Sequence, residues 1–314
     1  MSRRPRPVVV SLSLILLAAI IGATPGVSLA RLTDTAASTK AIGTDTLNPP
    51  TGLSATGGTS AALSWTATVD TYAAGYDVRR GTVSGGPYSV VSSVTPRTTT
   101  STTDTPASSG TYYYVLRSTF QNWTSVDSNQ ASAVVLLAPT ATGYKTCTGT
   151  SNAADTGGDG NGYETSPANA CGDDLLVATD ANSGTSTTVS CANAGKDRHR
   201  FWDFGLGVPA AVNSVGGIQV RVDEGINATS GTNQVCIELS WNGGTSWTAA
   251  KSVALTATAA TTYNLGATND TWGRSWAGSD FSNANFRIRI TDVASTTTKS
   301  FLLEYLAAQV TYTP

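Results

Sequence analysis

The sequence predicts an all-β protein with two domains. Only 13% of the 314 residues are charged, and Thr, Ser, Ala and Gly are abundant. This composition favours strands over helices. Short runs of alternating apolar and polar residues recur along the chain, bounded by Gly, Pro, Asn or Ser, as in antiparallel strands with one buried face. The length leaves room for two ordinary domains after an N-terminal segment.

Residues 1–30 have the features of a secretory signal peptide. Three arginines precede an apolar run at residues 8–21, and small residues end the segment at Ala30,. The run is short for a membrane span of about 20 residues, so an uncleaved anchor is the alternative. Residues 31–36 are similar to the start of secreted bacterial proteins with a TasA-like signal region. We therefore expect a secreted or cell-surface bacterial protein, in which residues 31–48 form a linker.

The charge pattern limits the partners. The net charge is −2, and the only clustered basic residues outside the N-terminal segment lie at 196–200. A nucleic acid partner is therefore not expected, and a membrane is expected only through an uncleaved N-terminal segment. Extracellular polysaccharide or surface proteins are the expected partners.

Seven short β runs occupy residues 49–138. Residues 49–55 (PPTGLSA), 62–65 (ALSW), 75–80 (GYDVRR) and 110–118 (GTYYYVLRS) match strands A, B, C and F of a fibronectin type III domain. The whole segment resembles that family. The resemblance implies a seven-stranded β-sandwich that serves as a spacer or a protein-binding module.

The resemblance also gives roles to individual aromatic residues of this segment. It implies that Trp65 is the core tryptophan. Tyr112, Tyr114 and Leu116 should share one face of their strand, because side chains alternate with a period of two. We expect Tyr112 to form a tyrosine corner, with its hydroxyl bonded to backbone.

Residues 151–314, after a connector at 139–150, predict a second sandwich. The run 301–308 is apolar on both faces and should be a central strand. The layout resembles jelly-roll-like accessory β-sandwiches of bacterial surface proteins, some of which bind carbohydrate. The predicted fold is thus a fibronectin type III sandwich followed by a jelly-roll-like antiparallel β-sandwich. The predicted strands are 174–179, 198–204, 218–222, 235–241, 247–253, 261–265, 286–290 and 301–308.

Residues 235–251 (VCIELSWNGGTSWTAAK) predict a β-hairpin. The glycines after Asn242 tolerate the positive φ of a tight reversal, and Trp247 should begin the return strand. The segment 240–247 resembles the Asp-box, S-x-D-x-G-x-[ST]-W, with Asn242 in place of Asp. A single copy of this folding motif indicates a hairpin, not a propeller or an enzyme.

All four cysteines follow the first domain, with Cys147 in the connector and Cys171, Cys191 and Cys236 in the second domain. An even number in an exported chain implies disulfides, with three possible connectivities. We favour Cys147–Cys171, which would close a segment without a core of its own, and Cys191–Cys236, which would fasten a loop to the hairpin. A zinc site is the alternative, but the sequence has no C-x2-C spacing and only one histidine, His199,.

A polar stretch predicts a Ca²⁺ site. Asp155, Asp159, Asn161 and Glu164 place oxygen ligands at short spacing among glycines, and Asp173–Asp174 could complete the set,. The stretch does not match the EF-hand pattern. A flexible polar loop is the alternative.

Two tryptophans are the candidate ligand-binding residues. Trp272 and Trp276 lie among Gly, Asn, Asp and Ser, as in a loop, where exposed aromatic rings can stack on sugars,. Packing at the edge of the core is the alternative.

A buried ion pair is also predicted. Glu304 should share an apolar strand face with Leu306 and therefore needs an arginine partner, for which Arg198 and Arg200 are the candidates.

The leading functional hypothesis is non-catalytic extracellular binding or adhesion, with polysaccharide as the first ligand class. The alternative is a structural component of a surface layer or extracellular matrix. A polysaccharide-active enzyme comes third. It would need two carboxylates that meet in the fold, and the available ones are Asp223, Glu224, Glu238 and Asp280.

Overall fold

The computed structural model describes residues 46–314. The predicted signal peptide (1–30) and the linker up to residue 45 lie outside the described residues. The end of the predicted linker belongs to the first sandwich, because Leu47 is buried and the backbone N–H of Asn48 donates to Asp70. None of the helices among residues 46–314 combines the length and the apolar composition of a membrane-spanning segment.

The first sandwich consists of eight antiparallel strands in two sheets. One sheet has the order β1-β2-β5, and the other has the order β4-β3-β6, with β7 and β8 also pairing with β6. The strands are β1 (Thr51–Thr56), β2 (Ala61–Thr66), β3 (Gly75–Gly81), β4 (Ser89–Val94), β5 (Ser101–Asp104), β6 (Gly110–Phe120), β7 (Trp123–Thr124) and β8 (Ala131–Val135).

Aromatic residues fill the core of the first sandwich as predicted. The rings of Trp65 and Tyr76 meet edge to face, with centroids 5.4 Å apart. Tyr112, Tyr114 and Leu116 are all buried in this core. The Tyr112 hydroxyl donates to the backbone carbonyl of Ser108 over 2.8 Å. The predicted tyrosine corner is therefore confirmed.

The second sandwich also has two antiparallel sheets. The six-stranded sheet has the order β10-β19-β14-β17, with β9 and β12 also pairing with β19; the five-stranded sheet has the order β11-β13-β18-β15-β16. Its strands are β9 (Thr140–Ala141), β10 (Lys145–Thr146), β11 (Asn152–Asp155), β12 (Ala178–Asp180), β13 (Arg198–Phe201), β14 (Ser214–Ile226), β15 (Asn233–Ser240), β16 (Lys251–Ala254), β17 (Thr261–Gly266), β18 (Arg287–Ala294) and β19 (Phe301–Thr313).

The all-β fold class and the central position of β19 are confirmed. β19 pairs with β14 along one edge and with β9, β10 and β12 along the other. Apolar residues of both sheets form one core, which includes Ile218, Val220, Ile288, Ile290 and Leu303. Residues 140–141 and 145–146, predicted as connector, contribute β9 and β10 to this sandwich.

A β-bulge in β19 overturns the predicted Glu304 ion pair. Asp223 of β14 lies opposite Tyr305, while the next residue, Glu224, lies opposite Leu303. Glu304 is therefore an extra, bulged residue. Odd-numbered residues of β19 face the core before it, and even-numbered residues face the core after it. Leu303 before it and Leu306 after it both face the core.

Glu304 is held by backbone groups instead of an arginine. One of its carboxylate oxygens accepts the N–H groups of Asp174 at 3.0 Å and Leu175 at 2.9 Å. The candidate arginines, Arg198 and Arg200, lie on β13 of the other sheet. The prediction that either pairs with Glu304 is therefore wrong.

The predicted hairpin is present, with a longer connection than expected. β15 pairs with β16, and Val235 lies opposite Val253. The return strand begins at Lys251, so Trp247 belongs to the connecting loop and not to the strand. The Asp-box-like loop closes on itself, because the Asn242 side-chain oxygen accepts the N–H of Ser246 at 2.8 Å.

Both favoured disulfides are present in the structure. Cys147 is bonded to Cys171, which joins residues 24 positions apart, and Cys191 is bonded to Cys236, 45 positions apart. Cys236 lies on β15 of the hairpin, and Cys191 lies in the loop before β13. The second disulfide therefore fastens that loop to the hairpin, as expected.

Candidate functional site

The two tryptophans predicted to bind ligand are buried. Trp272 is 4% exposed and Trp276 is 7% exposed. The indole N–H of Trp272 donates to the backbone carbonyl of Ile218 over 2.9 Å, and the Trp276 ring stacks on Phe281 at 5.2 Å. Their expected exposure is therefore wrong, and packing accounts for both rings. Trp276 lines an open groove of about 560 Å³ but cannot present a ring face to a sugar there.

Arginines and tryptophans instead gather on the outer face of the five-stranded sheet. Arg200 of β13 and Glu238 of β15 are both cross-strand neighbours of Arg289 on β18. The Arg289 guanidinium carbon lies 4.3 Å from the ring centre of Trp247. Its Nε lies 2.8 Å from the Glu238 carboxylate. The charge of Arg289 is therefore well balanced.

A cleft opens beside this layer of side chains. Arg200, Trp202, Gly243 and Arg287 line its volume of about 270 Å³. Trp202 follows Arg200 by two residues and Arg287 precedes Arg289 by two, so the strand period brings them to the same face. The Arg287 guanidinium lies 5.3 Å from the Trp202 ring centre. We call this group the Arg–Trp cleft.

The two arginines of the Arg–Trp cleft are poorly neutralised. Arg200 lies 3.7 Å from Asp155, which also lies 3.3 Å from Arg289. The Nε of Arg200 is buried without a hydrogen-bond partner among residues 46–314. Nη1 of Arg287 donates to the backbone carbonyls of Asn283 and Phe286, at 2.6 and 2.9 Å. Neutral carbonyl groups do not cancel its charge.

The pKa of Arg287 reflects these surroundings. Burial lowers its pKa below the ordinary value, the charge of Asp203 acts in the opposite direction, and the charge of Arg200 lowers the pKa further. Two guanidinium groups thus repel each other at the Arg–Trp cleft. An anion placed there would relieve that repulsion.

The Asp-box-like loop forms one wall of the cleft. Gly243 and Gly244 adopt positive φ angles of 73° and 94°, which glycine tolerates without strain,. The Ser240 hydroxyl accepts the N–H of Gly244 at 2.8 Å. The loop is therefore fixed by its own hydrogen bonds beside Arg200.

The predicted Ca²⁺ ligands do not converge on one point. Asp155 faces Arg200 and Arg289. The Asp159 carboxylate accepts a hydrogen bond from the Asn182 side chain. The Glu164 carboxylate accepts a hydrogen bond from the backbone N–H of Ala181. The structure therefore separates Asp155 from the rest of the predicted set.

The remaining predicted ligands, Asn161, Asp173 and Asp174, also make separate contacts. The N–H of Asn161 donates to the side chain of Asp159, and one side-chain oxygen of Asp174 accepts the N–H of Leu176. Asp173 is ion-paired with Arg221 at 3.1 Å.

Asp173 also belongs to another acidic group. Asp173, Asp223 and Glu304 have carboxylate oxygens within 4.8 Å of one another, and they are the only such group within residues 46–314. The guanidinium of Arg221 already contacts the first two, and Glu304 accepts two backbone N–H groups. Arg221 thus supplies the positive charge at this point.

A buried acidic centre was missed in the sequence. Glu224 and Asp292 lie between the sheets, and the Tyr163 hydroxyl is 2.9 Å from Glu224 and 3.1 Å from Asp292. Asp180 is also fully buried nearby. The signal was present, because Glu224 continues the inward alternation of Ile218, Val220 and Val222, and Asp292 continues that of Phe286, Ile288 and Ile290,.

The pKa values of this centre are shifted upward. Burial raises the pKa of Glu224 to about 8, and burial together with the charge of Asp292 raises the pKa of Asp180 to about 10. The pKa of Asp292 is raised well above its ordinary value by burial and by the charge of Glu224. These carboxyl groups are therefore expected to hold protons near neutral pH.

The four carboxylates considered for glycoside hydrolysis are not arranged as a free pair. Asp223, Glu238 and Asp280 are ion-paired with Arg221, Arg289 and Arg274. Glu224 is buried beside Tyr163.

Comparisons with known proteins found similar solved structures. No family model and no curated protein matches the chain. An Fn3-like protein from Clostridium thermocellum is 35% identical to the chain, and the match covers 28% of this chain and 93% of that one, with a TM-score of 0.26. With the strand order and the tyrosine corner already described, the first domain is a fibronectin type III-like β-sandwich.

Two further solved structures are similar at low identity. The FN1–FN3 domains of chicken CNTN1 are 13% identical, with 83% of this chain and 66% of that chain covered, at a TM-score of 0.26. The CBM22-1 and GH10 modules of a Clostridium thermocellum endo-1,4-β-D-xylanase, complexed with xylohexaose, are 11% identical, with 54% and 28% covered, at a TM-score of 0.22.

Proposed function

We propose that this protein is a non-catalytic binding module that is exported from a bacterium and binds polysaccharide through the Arg–Trp cleft. The observation that carries the proposal is the partly exposed ring of Trp202, which lines the cleft with Arg200 and Arg287 and has the Arg287 guanidinium over one face. An aromatic ring can stack on the apolar face of a sugar while the guanidinium groups bind its oxygen atoms. The first domain would then act as a spacer.

Two disulfides support the export part of the proposal. Disulfides persist in oxidising compartments and are rare in the cytosol of mesophiles. Both close loops in the second sandwich, which carries the cleft. A secreted or cell-surface location is therefore part of the proposal.

Binding to a panel of immobilised polysaccharides tests the proposal. We expect the protein to bind at least one of them and Trp202→Ala to weaken that binding roughly tenfold or more, which corresponds to about 1.4 kcal/mol. Trp123→Ala is the matched control, because Trp123 is 61% exposed on the first sandwich, away from the cleft. Self-assembly without binding to any glycan would replace the proposal with the surface-layer or matrix alternative. Turnover of a glycan would favour the enzyme.

A further inference from the structure

We propose that the Arg–Trp cleft selects anionic sugars, whose carboxylate or sulfate group binds between Arg200 and Arg287. This inference rests on the proposed function, since it names the ligand class of the same site. The two guanidinium groups line one cleft of about 270 Å³ with Trp202 beside them. That volume is close to the lower limit for small-molecule pockets, about 300 Å³.

The cleft arginines are less completely paired than several others, and they share this with Arg97 and Arg198, which bond to backbone carbonyls. Arg80, Arg221 and Arg274 each have a carboxylate oxygen within 3.1 Å. Arg200 has its carboxylate only at 3.7 Å and shares it with Arg289. For Arg287, no carboxylate lies within the 4.0 Å of an ion pair in the part of the chain that the structure describes.

The geometry of an arginine side chain matches this ligand chemistry. A guanidinium group is planar and donates parallel N–H groups to the two oxygens of a carboxylate or to a sulfate. Nη1 of Arg287 is occupied by backbone carbonyls, which fix the side chain in place and leave its other N–H groups for a ligand. The charge of Asp203 acts on Arg287 against that of Arg200. An anionic sugar would offset the positive charge that remains at the cleft, whereas a neutral sugar would not.

Matched pairs of polymers separate charge from sugar shape. We would measure binding of the full chain to polygalacturonate and its methyl ester, and to dextran sulfate and dextran. We expect the charged member of at least one pair to bind at least tenfold more tightly than its neutral partner. The pair that shows the difference identifies carboxylate or sulfate as the bound group. The charged complex should also weaken as NaCl rises from 50 to 500 mM, because salt screens exposed charges.

Variants assign the effect to the cleft. Arg287→Gln and Arg200→Gln should each reduce binding of the charged polymer at least tenfold. Arg117→Gln removes the same charge from the first sandwich, where Arg117 contacts Asp127, and should leave binding unchanged. Thermal unfolding of each variant checks that it folds. If one of the cleft variants does not fold, the other still tests the proposal.

The outcomes distinguish this inference from the proposed function. Equal binding of charged and neutral polymers, with loss in Trp202→Ala, would overturn selection by charge and leave polysaccharide binding intact. Equal loss of binding in Arg117→Gln and in the two cleft variants would also overturn it, since the effect would be one of net charge. Binding to none of the four polymers or the wider panel would overturn both proposals.

Discussion

The hydroxyl of Tyr163 lies 2.9 Å from the carboxylate of Glu224, deep between the two sheets of the second sandwich. The same oxygen lies 3.1 Å from Asp292. A phenol has one hydrogen to donate, so both hydrogen bonds form only when one of the two carboxyl groups is protonated. This relationship explains how two buried acidic side chains coexist in an apolar core.

Removal of the Tyr163 hydroxyl should destabilise the protein. Tyr163→Phe leaves two buried carboxyl groups without their shared partner, and we expect a loss of about 1–3 kcal/mol in the free energy of unfolding. Urea unfolding at pH 6 measures this loss. Tyr144→Phe is the control, because that hydroxyl donates to Asn264 at an exposed site and should matter little. Equal stability of Tyr163→Phe and the unchanged protein would contradict the expected role.

Stability should fall as pH rises from about 4.5 to about 8, the interval between the ordinary and the folded pKa of Glu224,. The pKa of Glu224 is about 8 in the folded state, above its ordinary 4.5. A raised pKa of an acid gives stability that is complete below the unfolded pKa and is lost as pH rises through the folded one. Burial likewise raises the pKa of Asp197 to about 7. Burial lowers the pKa of His199 from 6.5 to about 4, so its contribution is present above pH 6.5 and is lost as pH falls from there through about 4,.

A comparison of Glu224→Gln with Glu224→Asp tests this pH dependence. We expect the melting temperature of the unchanged protein to drop between pH 6 and pH 9. Glu224→Gln has no charge to gain, so its drop should be smaller, whereas Glu224→Asp keeps the acid and should keep the drop. Parallel pH profiles for all three proteins would show that Glu224 does not titrate in this range.

Each disulfide should stabilise the second sandwich through the loop it closes. Cys147–Cys171 spans 24 positions and Cys191–Cys236 spans 45. Loop-closure entropy predicts about 3–4 kcal/mol for each, with the larger value for the longer loop. Paired Cys→Ala variants measured by urea unfolding give the two values. A reductant should destabilise the unchanged protein but not a variant that lacks both disulfides. Unchanged stability in either pair variant would contradict the loop-entropy account.

The Ca²⁺ site predicted from the sequence at Asp155, Asp159, Asn161 and Glu164 stays a prediction. Asp159 and Glu164 lie close enough to Asp197 that their charges raise its pKa, after the larger effect of burial. One side-chain oxygen of Asp197 is buried without a hydrogen-bond partner among residues 46–314. The carboxylate oxygens of Asp159, Glu164 and Asp197 do not come within 4.8 Å of one another, since Asp173, Asp223 and Glu304 are the only such group within residues 46–314.

Thermal unfolding in Ca²⁺ and in EDTA tests this site. If Ca²⁺ binds only the folded state, the melting temperature should rise by roughly 2–4 °C for each kcal/mol by which binding stabilises that state. Asp159→Asn, which changes a predicted ligand, should abolish the shift. Asp173→Asn should retain it, because Asp173 is bound to Arg221. Identical melting temperatures in Ca²⁺ and EDTA would show that this loop does not bind Ca²⁺.

The sequence by itself determined the strands and much of what they bury. Alternation is a local property with a period of two, so inward residues such as Ile218 and Ile288 can be identified without knowledge of their neighbours. The tyrosine corner at Tyr112 and the hairpin around Asn242 also follow from short segments. The cysteine pairing could be favoured because only three connectivities exist, and one of them fastened a loop to a predicted hairpin.

The tertiary structure alone decided which polar side chains meet. One extra residue in β19 moved Glu304 away from the apolar face that strict alternation predicts. Packing against Ile218 and Phe281 buried Trp272 and Trp276, although their neighbours in sequence are typical of an exposed loop.

The Arg–Trp cleft also exists only in the folded chain. Arg200 and Arg287 are far apart in sequence and come together because β13 and β18 pair in one register. Strand pairing and bulges depend on contacts between distant segments, and a one-residue shift reverses every side chain that follows. Local patterns therefore determine the elements, and long-range packing determines the site.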